Sequence, residues 1–255
     1  MPNKTFRAFM RTLTPVLLAL VIAFAAAPAA FAEEGGGLPH VNINVHDQAS
    51  LQRGARLFMN YCVGCHSLKY ERYTQLAGGL GLTEKQVMEN LNFTGAKFQD
   101  PIVSAMPEAD ATQWFGKAPP DLSLIVGAKG ADWVAAYLES FYLDPKASSG
   151  WNNTVFPNVA MPFPLWQLQG EQVAVMNSPE NGQAATIKQL KLAHPGSMTP
   201  AQYDQAVRDI TTFLAYVSRP DELVRSHIGA WVILFLVLFT LFALVLKKEY
   251  WKDVH

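Results

Sequence analysis

The chain has 255 residues, long enough for one ordinary domain with appendages. It carries 20 Lys and Arg against 21 Asp and Glu, for a net charge of −1, and 50% of it is hydrophobic. A balance with no basic excess argues against nucleic acid as a partner.

Residues 1–32 read as a cleaved signal peptide. Lys4, Arg7 and Arg11 make a positive start, residues 15–27 are almost wholly apolar, and Ala30-Phe31-Ala32 fits a small-residue cleavage site before Glu33. A glycine-rich lead-in follows. Asp47 or Ser50 then opens a helix in which Leu51, Ala55, Phe58 and Met59 fall on one face.

That helix runs into Cys62-Val63-Gly64-Cys65-His66, a C-x-x-C-H run that holds both cysteines of the chain. The pattern reads as covalent c-type haem attachment. Two thiols three positions apart reach the two vinyl groups on one porphyrin edge, and the next residue places an imidazole under the ring. A redox pair would not need the histidine. A structural zinc site needs about four ligands, and no second Cys/His cluster exists in the sequence. Neither cysteine is spare for a disulfide.

Thr83 opens a second helix, with Gln86 three positions on as a capping box. Residues 131–143 read as a third helix, with Trp133, Val134, Tyr137, Leu138 and Phe141 on its inner side, ended by Asp144-Pro145. Ten of the twenty residues from 145 to 164 are Gly, Pro, Asn or Ser, yet the stretch also carries Trp151, Phe156, Met161 and Phe163. A loop this long inside a compact domain is functional or disordered, and this one is too apolar for a disordered tail. Two short runs, 172–176 and 183–187, flank Pro179-Glu180-Asn181-Gly182 as a hairpin. Thr199-Pro200 caps a fourth helix with the stripe Tyr203, Val207, Ile210, Phe213, Leu214 and Val217, and Arg219-Pro220 ends it.

Residues 229–246 are 18 positions without a charge and without a polar face, the length of a bilayer span. Trp231 sits near one end of the run, Tyr250 and Trp251 lie just past the other, and Lys247, Lys248 and Lys252 follow it. The basic end belongs in the cytoplasm. The resulting division is a signal peptide at 1–32, an exported haem domain at 33–225, a membrane helix at 226–248 in contact with lipid, and a cytoplasmic tail at 249–255. Without the leader and tail charges the exported part keeps 14 basic and 19 acidic residues, a net of −5. That excess permits steering of a basic partner.

Iron held by one histidine has a second axial position to fill, and a methionine there raises the reduction potential. Met59 lies too close to the motif and Met88 sits in a helical stripe. Met106 and Met161 both precede proline, and Met161 lies 95 residues beyond His66 in the apolar loop. Pattern alone leaves both open. The remaining histidines, among them His40, His46, His194 and His227, have no partner pattern that suggests a metal or acid–base chemistry.

The chain resembles the cytochrome c1 family in its bacterial form, the haem subunit of ubiquinol–cytochrome c oxidoreductase (bc1) complexes. The likeness runs from Ser50 and Arg53-Gly54 through Cys62 to Leu68, then Tyr73 and Leu76, Ala118-Pro119-Pro120-Asp121-Leu122-Ser123, the Asn158 to Pro162 stretch and the C-terminal anchor. The resemblance implies a mainly α, cytochrome c-like haem domain with loop and hairpin insertions plus one transmembrane helix. It implies one covalent haem c on Cys62 and Cys65, with His66 and Met161 as iron ligands. It implies one-electron transfer from a Rieske iron–sulfur protein to a soluble c-type cytochrome, cytochrome b as a further partner, and no catalysis by this subunit alone. The haem domain would lie on the periplasmic side of the inner membrane. Where family members often carry an arginine after the Pro-Pro-Asp-Leu-Ser segment, this chain has Lys129. Asp121 reads as a helix N-cap.

Overall fold

The computed structural model describes residues 37–177 and 186–252. The signal peptide and the Pro179–Gly182 turn expected from the sequence lie outside the described residues. In chain order the elements are α1 (Gln48–Tyr61), β1 (Leu68–Arg72), α2 (Tyr73–Leu80), α3 (Glu84–Asn90), β2 (Pro101–Ile102), α4 (Glu108–Phe115), α5 (Ile125–Lys129), α6 (Ala131–Glu139), β3 (Phe141–Leu143), β4 (Trp151–Asn153), α7 (Trp166–Gln169), β5 (Gly170–Met176), β6 (Ile187–Pro195), α8 (Pro200–Ser218) and α9 (Glu222–Tyr250). Helix makes up 49% and strand 14% of the described residues, so the fold is half helical with sheet, less purely α than expected.

The core is built on α1 crossing α8. Asp47 caps α1 by accepting from the Ser50 N–H at 3.1 Å. Thr199 and Gln202 form a reciprocal capping box on α8, with Pro200 in its first turn. α1 buries one face, α8 is buried all round from Asp209 to Val217, and Phe58 meets Phe213 at a centroid distance of 5.7 Å. The crossing is close because position 54 is glycine: a Cβ there would sit 2.0 Å from the Asp209 carbonyl oxygen. The buried Asp209 carboxylate takes Arg53 in a two-point grip at 2.6 and 2.9 Å, and also accepts from Ser50 Oγ at 2.6 Å and Gln205 Nε2 at 2.8 Å. A buried charge is tolerable when its oxygens are satisfied in this way.

β1 and β2 pair antiparallel. The second sheet has the order β4-β3-β5-β6, with β3–β5 parallel and the other two pairs antiparallel. Two expectations change here. The third helix stops at Glu139, and Phe141–Leu143 is a strand that pairs with Trp151–Asn153. The stretch 145–164 is therefore not one continuous loop. The two strands pair antiparallel, but the second is Ile187–Pro195, later than the run read from the sequence.

α9 is 29 residues long. Within its segment Ile228–Tyr250 the most apolar stretch of 18 residues has a mean hydropathy of 2.8, and none of that stretch is buried. At about 1.5 Å per residue this segment extends roughly 35 Å, enough for a hydrocarbon layer of about 30 Å. Thr240 returns its hydroxyl hydrogen bond to the Leu236 carbonyl at 2.7 Å, so the polar residue in the run presents no unmet donor. Among the described residues this is the one candidate membrane helix.

Candidate haem-binding site

The C-x-x-C-H segment winds back onto the end of α1. The N–H groups of Cys62 and Val63 bond to the Phe58 carbonyl at 2.8 and 3.1 Å, and those of Cys65 and His66 bond to the Cys62 carbonyl at 3.0 and 2.8 Å. Both thiols therefore sit on one tight turn, and both are free and half-buried. Cys62 retains some accessible surface, but dense surroundings push its thiol up to about 12, and Cys65 is raised by the same cause. The two sulfurs are neutral thiols at neutral pH.

His66 is 9% exposed, and its Nδ1 lies 2.8 Å from the Pro120 carbonyl oxygen. A carbonyl only accepts, so Nδ1 carries the hydrogen and the Nε2 lone pair is left free. Burial lowers the pKa of the ring, opposed by the Pro120 carbonyl and by Asp121. The ring is thus a neutral imidazole of fixed tautomer, the form that binds a metal.

The Pro-Pro-Asp-Leu-Ser segment is stapled in place. Asp121 Oδ2 accepts from the Lys69 N–H at 2.8 Å and Oδ1 from the Ser123 N–H at 2.9 Å. Ser123 Oγ accepts from the Tyr70 N–H at 3.2 Å, and the Ser67 carbonyl accepts from the Leu122 N–H at 2.9 Å. Asp121 is therefore not the expected helix cap: α5 begins after Leu124 without a side-chain cap. Its task is to hold the Pro120 carbonyl beside the strand that follows the motif.

Met161 lies in the segment between β4 and α7. Its segment is fixed by two adjacent asparagines, 8% and 1% exposed. Asn152 Oδ1 accepts from the Asn158 N–H at 2.8 Å, and Asn158 takes the left-handed φ of +61°. Asn153 Oδ1 accepts from the N–H groups of Val155 and Phe156 at 2.9 and 3.0 Å, while its Nδ2 donates to the Tyr137 carbonyl at 2.8 Å. Val159 and Phe163 are buried on either side and leave Met161 half-buried between them. Phe163 stacks on Phe141 at 4.8 Å and meets Trp151 edge-on at 5.3 Å. The Met161 sulfur accepts from the Tyr137 hydroxyl at 3.3 Å. Asn152, Asn153 and Tyr137 were not foreseen as site residues; the first two read as loop formers and the third as core.

Cys62 and Met161 both border the one hydrophobic core, as do Leu122, Ile125, Val126, Trp133 and Tyr137, each partly buried. Met106 is half-buried but is not among the described residues packed against that core. Two thiols on one turn, an imidazole with a free Nε2, a soft thioether and a set of half-covered apolar side chains fit a covalently held haem. Lys129, in the place of the family's arginine, lies 5.5 Å above the Trp133 ring.

Residues 40–254 match the model of the Cytochrome C1 family. The chain belongs to that family. It is 52% identical over 232 residues to cytochrome c1 of Allochromatium vinosum, covering 90% of this chain and 95% of the relative. It is 39% identical over 246 residues to a protein of Nitrosomonas europaea named ammonia monooxygenase gamma subunit, covering 96% and 100%. It is 27% identical to cytochrome b/c1 of Bradyrhizobium diazoefficiens, where it spans 42% of the longer protein. Cytochrome c1 proteins carry covalently bound haem c, and they serve as electron-transfer subunits of the bc1 complex alongside cytochrome b.

Proposed function

We propose that this chain carries one electron at a time from a Rieske iron–sulfur protein to a soluble c-type cytochrome, as the haem subunit of a bc1 complex. In this reading Cys62 and Cys65 form the thioethers, and His66 Nε2 and Met161 Sδ are the axial ligands. The haem supplies a ferric–ferrous couple when bound. The chain's residues fix its ligands and shield it from water. Pro120 aims His66 by taking its Nδ1 hydrogen, and this contact is the observation that carries the reading. The thioether, neutral and soft, favours the ferrous state over the ferric and so raises the potential. No substrate is transformed by the subunit alone.

The reading extends to topology: residues 1–32 are removed on export, 33–225 form the periplasmic domain, α9 anchors it in the inner membrane, and Lys247, Lys248 and Lys252 keep the tail in the cytoplasm. The net −5 of the exported part suits a basic acceptor. Exposed charges are screened beyond roughly 10 Å at 0.1 M salt. Oxidation of the haem by a soluble acceptor should therefore slow as salt rises, while reduction within the complex changes less, because no diffusional encounter is needed. Detergent extraction tests the assignment: the protein should elute with a b-type cytochrome and an iron–sulfur protein. Elution alone, with full haem, would favour a free-standing anchored shuttle.

A further inference from the structure

We propose that the Tyr137 hydroxyl is a positioning residue that sets the haem potential through Met161; this rests on Met161 being the sixth ligand. A thioether sulfur has two lone pairs. One can bind iron while the other accepts the Tyr137 hydrogen bond, seen at 3.3 Å. A donor on the sulfur withdraws electron density from it. The sulfur then becomes a poorer donor to iron, which costs the ferric state more than the ferrous state and raises the potential.

The hydroxyl is held on target by its ring. Tyr137 stacks on Trp133, one turn earlier in α6, at 5.0 Å and 10°. On its other side it meets Phe141 edge-on at 5.1 Å and 74°. Its backbone carbonyl accepts from Asn153, the residue that also shapes the Met161 segment. Donor and acceptor are thus tied to one another through the backbone as well as through the hydroxyl, so the contact is a built feature of the domain. A phenylalanine at 137 would keep the stack and lose only the donor.

The experiment is a redox titration of the purified holoprotein for Tyr137→Phe, Trp133→Phe and Met161→Leu, with absorption spectra of the oxidised forms. Met161→Leu should abolish the sulfur-to-iron band at the red end of the visible spectrum; if that band survives there, the ligand assignment falls and the proposal with it. In Tyr137→Phe the band should remain, and the redox equilibrium should shift threefold to tenfold towards the oxidised form. Tenfold corresponds to about 59 mV for one electron. Trp133→Phe, which disturbs the stack but keeps the hydroxyl, should lower the potential less than Tyr137→Phe does. An unchanged potential in Tyr137→Phe, loss of its band, or an equal drop in both ring variants would overturn the proposal.

Discussion

The two sides of the proposed haem site are held by different means. The His66 side is a backbone construction: four main-chain hydrogen bonds wind the motif onto α1, and one main-chain carbonyl orients the imidazole. The Met161 side is a side-chain construction, in which Asn152, Asn153, Tyr137 and Phe163 converge from α6, β4 and the segment beyond β4. A backbone device tolerates substitution, because any residue supplies a carbonyl. A side-chain device fails when one amide or ring is lost. The difference predicts an asymmetry: mutations around the histidine should be mild unless they touch His66 itself or the Asp121 and Ser123 side chains that staple the Pro120 segment, and mutations around the methionine should be severe.

The largest break should come at Asn153. Its alanine variant, at a position 1% exposed, removes the acceptor of the Val155 and Phe156 N–H groups and the shortest hydrogen bond to the Tyr137 carbonyl, which keeps only the longer ones from Ser140 at 3.4 and 3.5 Å. Each unmet buried group costs about 1–3 kcal/mol, so denaturant unfolding should show a loss of about 3–4 kcal/mol together with a weakened sulfur-to-iron band.

A second effect lies on the histidine side, though not in its hydrogen bonds. Glu71 of β1 is 1% exposed, and among the described residues neither of its carboxylate oxygens has a hydrogen-bond partner. Burial pushes its carboxyl up to about 7 from an ordinary 4.5, eased by the nearby Tyr216 hydroxyl. That hydroxyl's own hydrogen bond goes to the Gln75 carbonyl at 3.3 Å. A carboxyl raised in the folded state holds its proton more tightly folded than unfolded. Its contribution is complete below pH 4.5 and is lost as pH rises towards 7. The loss amounts to about 3 kcal/mol. Unfolding free energy measured from pH 4 to 8 should fall across that window in the wild type, and Glu71→Gln should remove that component of the slope.

Smaller effects sharpen the comparison. Phe163→Leu keeps an apolar anchor but forfeits two ring contacts, and it should cost about 1–2 kcal/mol. Pro120→Ala keeps the carbonyl that holds His66, and it should change stability by less than about 1 kcal/mol and leave the haem spectrum intact. A Pro120→Ala effect as large as that of Asn153→Ala would erase the proposed distinction.

The same distinction explains what could be read from the sequence. The backbone side is local. Asp47, the Thr83–Gln86 box, the Thr199–Pro200 start and the C-x-x-C-H turn are each set within about four residues, and each stands where its pattern places it. The methionine side depends on distant partners. On the histidine side, too, one residue escapes a local reading: Asp121 has the form of a helix cap, but besides the Ser123 N–H it accepts from that of Lys69, 52 positions away. Trp133, Tyr137 and Phe141 recur every four residues, so a helix to residue 143 was the natural reading. The rings do remain in contact, but the backbone leaves the helix after Glu139, because Phe141–Leu143 finds a strand partner in Trp151–Asn153. Asn152 and Asn153 resemble ordinary loop residues until the N–H groups they satisfy are known.

The central claim is that one haem is held between His66 and Met161. The direct measurement is the oxidised absorption spectrum and redox midpoint of the holoprotein, compared across wild type, Met161→Leu and Met106→Leu. The sulfur-to-iron band should vanish and the potential drop strongly in Met161→Leu alone, with Met106→Leu matching the wild type. Retention of the band in Met161→Leu with its loss in Met106→Leu would contradict the account.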